Sequence, residues 1–221
     1  MRRLAAIGDI HGNLPALRAV LEAVRRAGLR HGVCTGDLVM RGTDPERCVR
    51  MLRDLGWPCV KGNTDAKVCD SPPRPADHPA SLRKGSRSWT VRRLSKDSMR
   101  FLDGLPRHAA VSMGGHRVVV VHGDSRGGDE PIDEQTSDAD LTALAGRLRA
   151  DCIVTGHTHR PSIRRVGSLL VVNPGSVGEA VEGERRPSWA WLEVAGGRLV
   201  AHLERVDEPL ALVRDRSVNH P

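Results

Sequence analysis

The chain has 221 residues, of which 39% are hydrophobic, enough apolar material for a sizeable core and too much for a disordered state. Its longest apolar runs, Val118 to Val121 and Leu169 to Val172, fall far short of the ~18 residues of a membrane-spanning helix, and the apolar stretch after Arg2 and Arg3 ends too soon for an export signal. A net charge of +7 favours anionic partners, while 2% aromatic residues, with no Tyr, argue against a dedicated single-strand nucleic-acid binder.

Leu4 to Ile7 reads as a buried strand, and Leu14, Leu17, Leu21 and Val24 as one face of a helix that Gly28 closes. His31 to Thr35 reads as a second strand. Asp44 and Pro45 then supply an N-cap and a first-turn proline, Val49, Leu52 and Leu55 the buried stripe of the next helix, and Pro58 to Lys61 a third short strand. This alternation is the pattern of βα units on a largely parallel sheet. Residues 70 to 80 hold four prolines in eleven positions, an irregular excursion. Leu82 to Leu105 looks helical and basic, carrying Arg83, Lys84, Arg87, Arg92, Arg93, Lys96 and Arg100, either a solvated face or a phosphate-contacting one.

Val111 to Met113, Gly114-Gly115 and Val118 to Val121 form a hairpin pattern running into His122. An acidic loop is expected from Asp124 to Asp140, a helix through Leu141, Leu144, Ala145 and Leu148, a strand at Ile153 to Thr155, and strands around turns at Gly167-Ser168 and Gly196-Gly197. Trp189 and Trp191 share one face of a predicted strand, where packing outranks base stacking. Two sheets with flanking helices follow more naturally than one doubly wound sheet. Residues 1–221 are expected to form one domain, with 70–107 as a cap or insertion within it. The five cysteines are odd in number and form no Cys-x-x-Cys pair, which argues against a disulfide framework or thiolate zinc and for a reducing, cytoplasmic setting.

Five clusters each put Asp, Asn or His beyond a predicted strand among glycines: Gly8-Asp9-Ile10-His11-Gly12, Gly36-Asp37, Gly62-Asn63-Thr64-Asp65, His122-Gly123 and Gly156-His157-Thr158-His159. Strand ends at one edge of an α/β sheet converge, so these clusters should meet. In extended backbone, Asp9 with His11 and His157 with His159 would each project to one side and grip one centre. Asp9, Asp37, Asn63, His11, His122, His157 and His159 are a mixed oxygen and nitrogen donor set without thiolate. They suit Mn, Fe or Zn, with Ni or Co as further candidates, better than Ca or Mg. Their number suits two cations better than one tetrahedral site.

The ordered run Asp-x-His, Gly-Asp, Gly-Asn-x-Asp, His, Gly-His-x-His resembles the signature of the calcineurin-like metallophosphoesterases, in particular the small prokaryotic YfcE-like phosphodiesterase branch. Leu38-Val39 with Asp44-Pro45, Leu102 to Pro106, and Asn173-Pro174-Gly175-Ser176-Val177-Gly178 extend the likeness over residues 4 to about 194. The resemblance implies an α/β fold, a four-layered αββα sandwich of two mixed sheets with a dimetal site at one edge. It implies that Asp9, His11, Asp37 and His159 hold a first metal and Asp37, Asn63, His122 and His157 a second, Asp37 bridging. Mn is the expected occupant. Two such cations would acidify a shared water, and the resulting hydroxide would attack phosphorus. Asp37, Asn63 and Asp65 are the expected catalytic residues, Asp65 either orienting a ligating histidine or capping the next helix.

Thr64 departs from the Gly-Asn-His-Asp of many relatives, whose histidine is thought to protonate the leaving group. Threonine is a poor proton donor, so diesters or esters with acidic leaving groups are the expected substrates. Substrate contact is expected at Asn63 and Thr64, and at Arg41 if it is more than a surface arginine; Arg126 and Arg160 are weaker candidates of the same kind. His31, His78, His108, His116, His202 and His220 fall outside the clusters and are read as structural or exposed. The 173–178 segment is read as a turn beside the site. The expected activity is a phosphodiesterase acting on phosphate esters, nucleotides or nucleic acid included. The rival readings are a phosphomonoesterase for phosphoproteins or nucleotides and a non-catalytic scaffold for a phosphorylated partner. A homodimer is expected by analogy.

Overall fold

The computed structural model describes residues 1–70, 83–123, 130–179, 181 and 184–207. Strand β1 (Arg3–Ile7) leads into helix α1 (Leu14–Arg26), strand β2 (Gly32–Cys34) and helix α2 (Pro45–Leu55). Asn13 Oδ1 caps α1 at Ala16 N, 3.2 Å away, and the Asp44 carboxylate caps α2 at Arg47 N. Gly56, at φ +65°, ends α2 in the left-handed conformation that glycine adopts without penalty. Helix α3 (Asn63–Cys69) follows, then α4 (Arg87–Val91), α5 (Lys96–Asp103), β3 (His108–Met113) and β4 (His116–Val121). The chain continues through α6 (Asp138–Leu148), β5 (Cys152–Val154), β6 (Ser162–Val166), β7 (Leu169–Asn173), β8 (Ser188–Ala195) and β9 (Arg198–Arg205).

The strands form two mixed sheets, one ordered β2-β1-β8-β9 and the other β3-β4-β5-β7-β6. In the first, β1 runs parallel to β2 and antiparallel to β8. In the second, β5 runs parallel to both β4 and β7. Because successive strand residues face opposite ways, each buried strand serves two cores. Leu4 and Ala6, with Leu192 of β8, face the other sheet, where they meet Val118, Val120, Val154 and Val172. Ala5 and Ile7 face the helices, packing with Leu17 and Val20 of α1, Val49 and Leu52 of α2, and Leu102 of α5. Val119 and Val121 point outward to Leu141 and Leu144 of α6. The layers are therefore helix, sheet, sheet, helix, the αββα arrangement expected.

Several expectations are corrected. Pro58 to Lys61 is no strand: it meets β2 through one bridge, Cys34 to Cys59. Leu55 is 39% exposed, at the last turn of α2 where the core has already curved away. The basic segment is two short helices rather than one, because the Ser95 hydroxyl accepts from Ser98 N and starts a new helix. Arg92, Arg93, Lys96 and Arg100 are exposed, while Val91, Leu94, Met99 and Phe101 pack against the helix-layer core. Helix α6 begins at Asp138, inside the segment read as a loop. The proline-rich excursion falls outside the described residues apart from Asp70, as do residues 124–129, with Arg126. His78 and His220 also lie outside them. Trp189 and Trp191 do share the helix-side face, where Trp191 stacks on His202. Among the described residues, no helix is long and apolar enough to cross a membrane.

Candidate metal centre

Four of the five clusters sit just past the ends of β1, β2, β4 and β5, and the fifth opens α3. The loops are stitched together by backbone. Asp9 N donates to Gly36 O and His11 N to Asp37 O, each at 2.9 Å, and Gly156 N donates to His122 O at 2.9 Å. The expected extended geometry is wrong. Asp9, His11, Asp37, His157 and His159 all have φ between 49° and 72°, the left-handed region. Asp and His tolerate this region better than bulky residues do, and such strain concentrates at functional sites. The paired donors still converge, because the left-handed turns fold each loop back on itself.

All seven predicted donors are brought together. His11 Nε2 lies 3.1 Å from His159 Nε2, and His159 Nε2 lies 3.3 Å from Asp9 Oδ1. His122 Nε2 lies 3.1 Å from His157 Nδ1 and 3.0 Å from Asn63 Oδ1. Asp37 stands between the two pairs, with Oδ2 3.7 Å from His11 Nε2 and Oδ1 3.5 Å from His122 Nε2. Two sets of ligand atoms close enough to hold an ion result: Asp9, His11 and His159, and Asp9, Asp37 and His122.

The residues fit divalent cations. Asp9 Oδ1 and His11 Nδ1 are buried without a hydrogen-bond partner, although isolated buried carboxylates are costly. Asn63 can present either end of its amide. Nitrogen inward, it would donate to Asp37 Oδ2, His122 Nε2 and His157 Nδ1, with its oxygen accepting from Lys67 Nζ. Oxygen inward, it places a third oxygen ligand among the imidazoles, the orientation a cation needs. Burial holds the His11 imidazole well below its ordinary range; the Asp9 carboxylate opposes this, and Arg41 with the neighbouring histidines reinforces it. His11 is thereby kept in the neutral, ligating form. Burial pulls His122 down as well, but Asp37, Asp9 and the Thr35 carbonyl outweigh it and raise its pKa. Thr35 O lies 2.8 Å from His122 Nδ1, which leaves Nε2 facing the donors.

Asp65 resolves between its two readings. Its Oδ1 accepts from Leu38 N and Val39 N, and its Oδ2 from Gly62 N. It therefore caps α3 and ties down the loop carrying Asp37, and orients no histidine. Burial, then the charge of Asp37, pushes its carboxyl up to about 7. Glycine is required at Gly62, where a Cβ would come within 2.1 Å of Asp37 Oδ1. Thr64 turns its hydroxyl to the backbone. Its hydroxyl is buried and donates to Val39 O at 3.0 Å, while its backbone N–H donates to Asp37 Oδ1 at 2.9 Å. Arg41 sits at the rim, half exposed and paired with Glu179. Arg160 is exposed.

Sequence reasoning missed Glu179, whose Oε2 comes within 3.7 Å of His11 Nε2 and 3.6 Å of His159 Nδ1. Nothing in the pattern singled it out beyond its place after the 173–178 turn. That turn is structural, as expected. Asn173 Nδ2 donates to Gly156 O, and Ser176 Oγ donates to Asp9 O, so the turn joins the loops that carry Asp9 and His157.

The description of a calcineurin-like phosphoesterase superfamily domain matches residues 2–197. An uncharacterized protein of Methanocaldococcus jannaschii is 28% identical over 84% of this chain and 80% of its own length. Phosphodiesterase YfcE of Escherichia coli K12 is also 28% identical, over 80% of each chain. Among solved structures, a metallophosphoesterase from Sphaerobacter thermophilus superposes with a TM-score of 0.72 at 28% identity, covering 93% of this chain and 88% of its own. With a match spanning nearly the whole chain and every motif of the signature gathered at one sheet edge, this protein belongs to the calcineurin-like phosphoesterase superfamily.

Proposed function

We propose that the protein is a dimetal-dependent phosphodiesterase of the YfcE-like branch, and that Mn²⁺ fills its site. The observation that carries this reading is the placement of Asp37 between the two donor pairs, one carboxylate oxygen toward each. Asp9, His11, Asp37 and His159 would hold one cation, and Asp37, Asn63, His122 and His157 the other. When bound, divalent cations acidify water and take up negative charge on a phosphoryl group.

The protein's own residues set the conditions for that chemistry. Low proton affinity at His11 leaves it free to ligate at neutral pH. Asn63, a neutral ligand through its oxygen, would leave more net positive charge for the phosphate than a third carboxylate would. The Thr64 N–H and the Asp65 carboxylate keep Asp37 and its loop in place. The Thr64 hydroxyl is spent on Val39 and has no proton to give a departing alkoxide. That supports esters whose leaving group departs as a stable anion, and the similarity to phosphodiesterase YfcE points the same way. Five free cysteines suit a cytoplasmic setting.

Hydrolysis of bis-(para-nitrophenyl) phosphate and para-nitrophenyl phosphate, before and after chelation and Mn²⁺ return, tests the reading. The diester should be cleaved faster than the monoester, chelation should abolish both rates, and Asp37→Ala should lose at least ~10²-fold in kcat/KM. A protein that binds Mn²⁺ yet cleaves neither ester would reverse the conclusion in favour of a phospho-ligand scaffold.

A further inference from the structure

Glu179 is delivered to the site by a rigid arm. Its backbone N donates to Ser176 Oγ at 2.9 Å, and the same hydroxyl donates to Asp9 O. Gly178 N also donates to Asp9 O, and Asn13 Nδ2 donates to Gly178 O at 3.0 Å. A Cβ on Gly178 would collide with Ile10 O at 1.8 Å, so the arm lies directly on the loop carrying Asp9 and His11. Arg41 comes from the loop that follows Asp37. It has φ +65°, and its N–H donates to Gly85 O at 2.7 Å, while Gly42 N donates to His11 O. The guanidinium and the Glu179 carboxylate pair across the mouth, with the side chains 48% and 30% exposed. The same carboxylate oxygen faces His11 and His159.

Arg41 is, with Lys67, one of the cations next to the donor cluster, and it is the one paired with Glu179 at the rim, where it could grip a phosphate oxygen not already held by metal. A phosphodiester carries one negative charge, whereas a phosphomonoester carries close to two at neutral pH, its second pKa being about 6. The second charge is the one that gains from a free guanidinium. With Glu179 on Arg41, that gain is cancelled, and a dianion meets an additional carboxylate.

We propose that Glu179 is a specificity residue that neutralises Arg41 at the mouth of the site and so selects esters with one negative charge on phosphorus over those with two. This rests on the phosphoesterase reading above. It adds a residue that the donor pattern does not include, and it accounts for diester preference independently of Thr64.

The test compares wild type, Glu179→Gln, Glu179→Asp, Arg41→Ala and Arg41→Ala/Glu179→Gln, all loaded with Mn²⁺. Glu179→Gln should raise kcat/KM on para-nitrophenyl phosphate relative to bis-(para-nitrophenyl) phosphate by about tenfold, as expected for one partly screened charge. Inorganic phosphate, titrated calorimetrically, should bind tighter to Glu179→Gln by a similar factor. Glu179→Asp should restore the wild-type ratio in part. The Arg41→Ala/Glu179→Gln variant should bind inorganic phosphate more weakly than Glu179→Gln does, because no guanidinium is released there to take up the second charge. An unchanged ester ratio with unchanged phosphate affinity would overturn the proposal. So would a drop in Mn²⁺ affinity in Glu179→Gln, measured by calorimetry, since that would make Glu179 part of the metal cradle. If wild type cleaves neither ester, the phosphodiesterase reading fails, and the phosphate titrations alone decide the charge filter.

Discussion

Replacing Thr64 by valine keeps the side chain's outline and removes one hydroxyl, whose proton goes to the Val39 carbonyl. Leaving a buried acceptor unpaired costs about 1–3 kcal/mol, so Thr64→Val should lower stability in a urea titration by roughly that amount. The monoester-to-diester rate ratio should not move, because the hydroxyl faces the backbone. A changed ratio would return Thr64 to the substrate side. The donors themselves were legible in the sequence because Asp, His and Asn next to glycine at strand ends have few structural uses. Their left-handed backbone was not, since spacing says nothing about φ. Glu179 was hidden for a related reason: a single glutamate after a turn has no period and no partner in sequence, and its neighbours His11 and His159 come from remote loops. Asp65 could be narrowed to two roles by position, and three backbone N–H donors decide between them.

Helix α2 separates what periodicity reveals from what it overstates. Val49, Leu52 and Leu55 keep helical spacing, yet Leu52 is fully buried and Leu55 is 39% exposed. Leu52→Ala should cost about 2–5 kcal/mol in unfolding free energy, and Leu55→Ala well under ~1 kcal/mol. Similar losses at both positions would mean that the last turn of α2 is covered in solution. From sequence, Leu82 to Leu105 looks helical and basic throughout. Two serine caps, at Ser86 and Ser95, divide it. Serine is frequent enough in helices that a capping reading needs the backbone φ of about −66°, ψ 165° seen at Ser86 to become decisive. Pro58 to Lys61 has the composition of a strand but only one bridge to β2, so the chain turns toward Gly62 and α3 instead of extending the sheet.

At the scale of the molecule, the two-sheet arrangement was legible because the buried runs on β1 and β4 are continuous. Strands covered on both faces read that way, and two of them in separate halves of the chain imply two such layers. The donors bridge these layers: Asp9 and Asp37 follow strands of the first sheet, and His122 and His157 follow strands of the second. Bound cations should therefore stabilise the whole fold and not a single loop. At a free Mn²⁺ concentration 100 times the dissociation constant, linkage gives about 2.7 kcal/mol per site, so chelation should lower the melting temperature measurably and Mn²⁺ return should restore it. No shift on chelation would mean that the native protein holds no cation more tightly than the unfolded chain does, and would count against the metal reading.

The spread of donors along the chain carries a consequence for how the protein is made. Asp9 and His157, whose backbone N–H meets the Asp9 carboxylate, are 148 residues apart in sequence. During synthesis the early βα units can collapse as soon as they clear the ribosome, and the set of Asp9, Asp37 and His122 is complete once His122 has emerged, whereas the set of Asp9, His11 and His159 waits for the Gly156-His157-Thr158-His159 loop. A nascent chain stalled before that point would offer only Asp9, His11, Asp37, Asn63 and His122 to passing ions. The two halves of the site are thus completed at different points of synthesis, the set that contains His159 last, after the β1–β2 pair of the first sheet and most of the helix layer have been made.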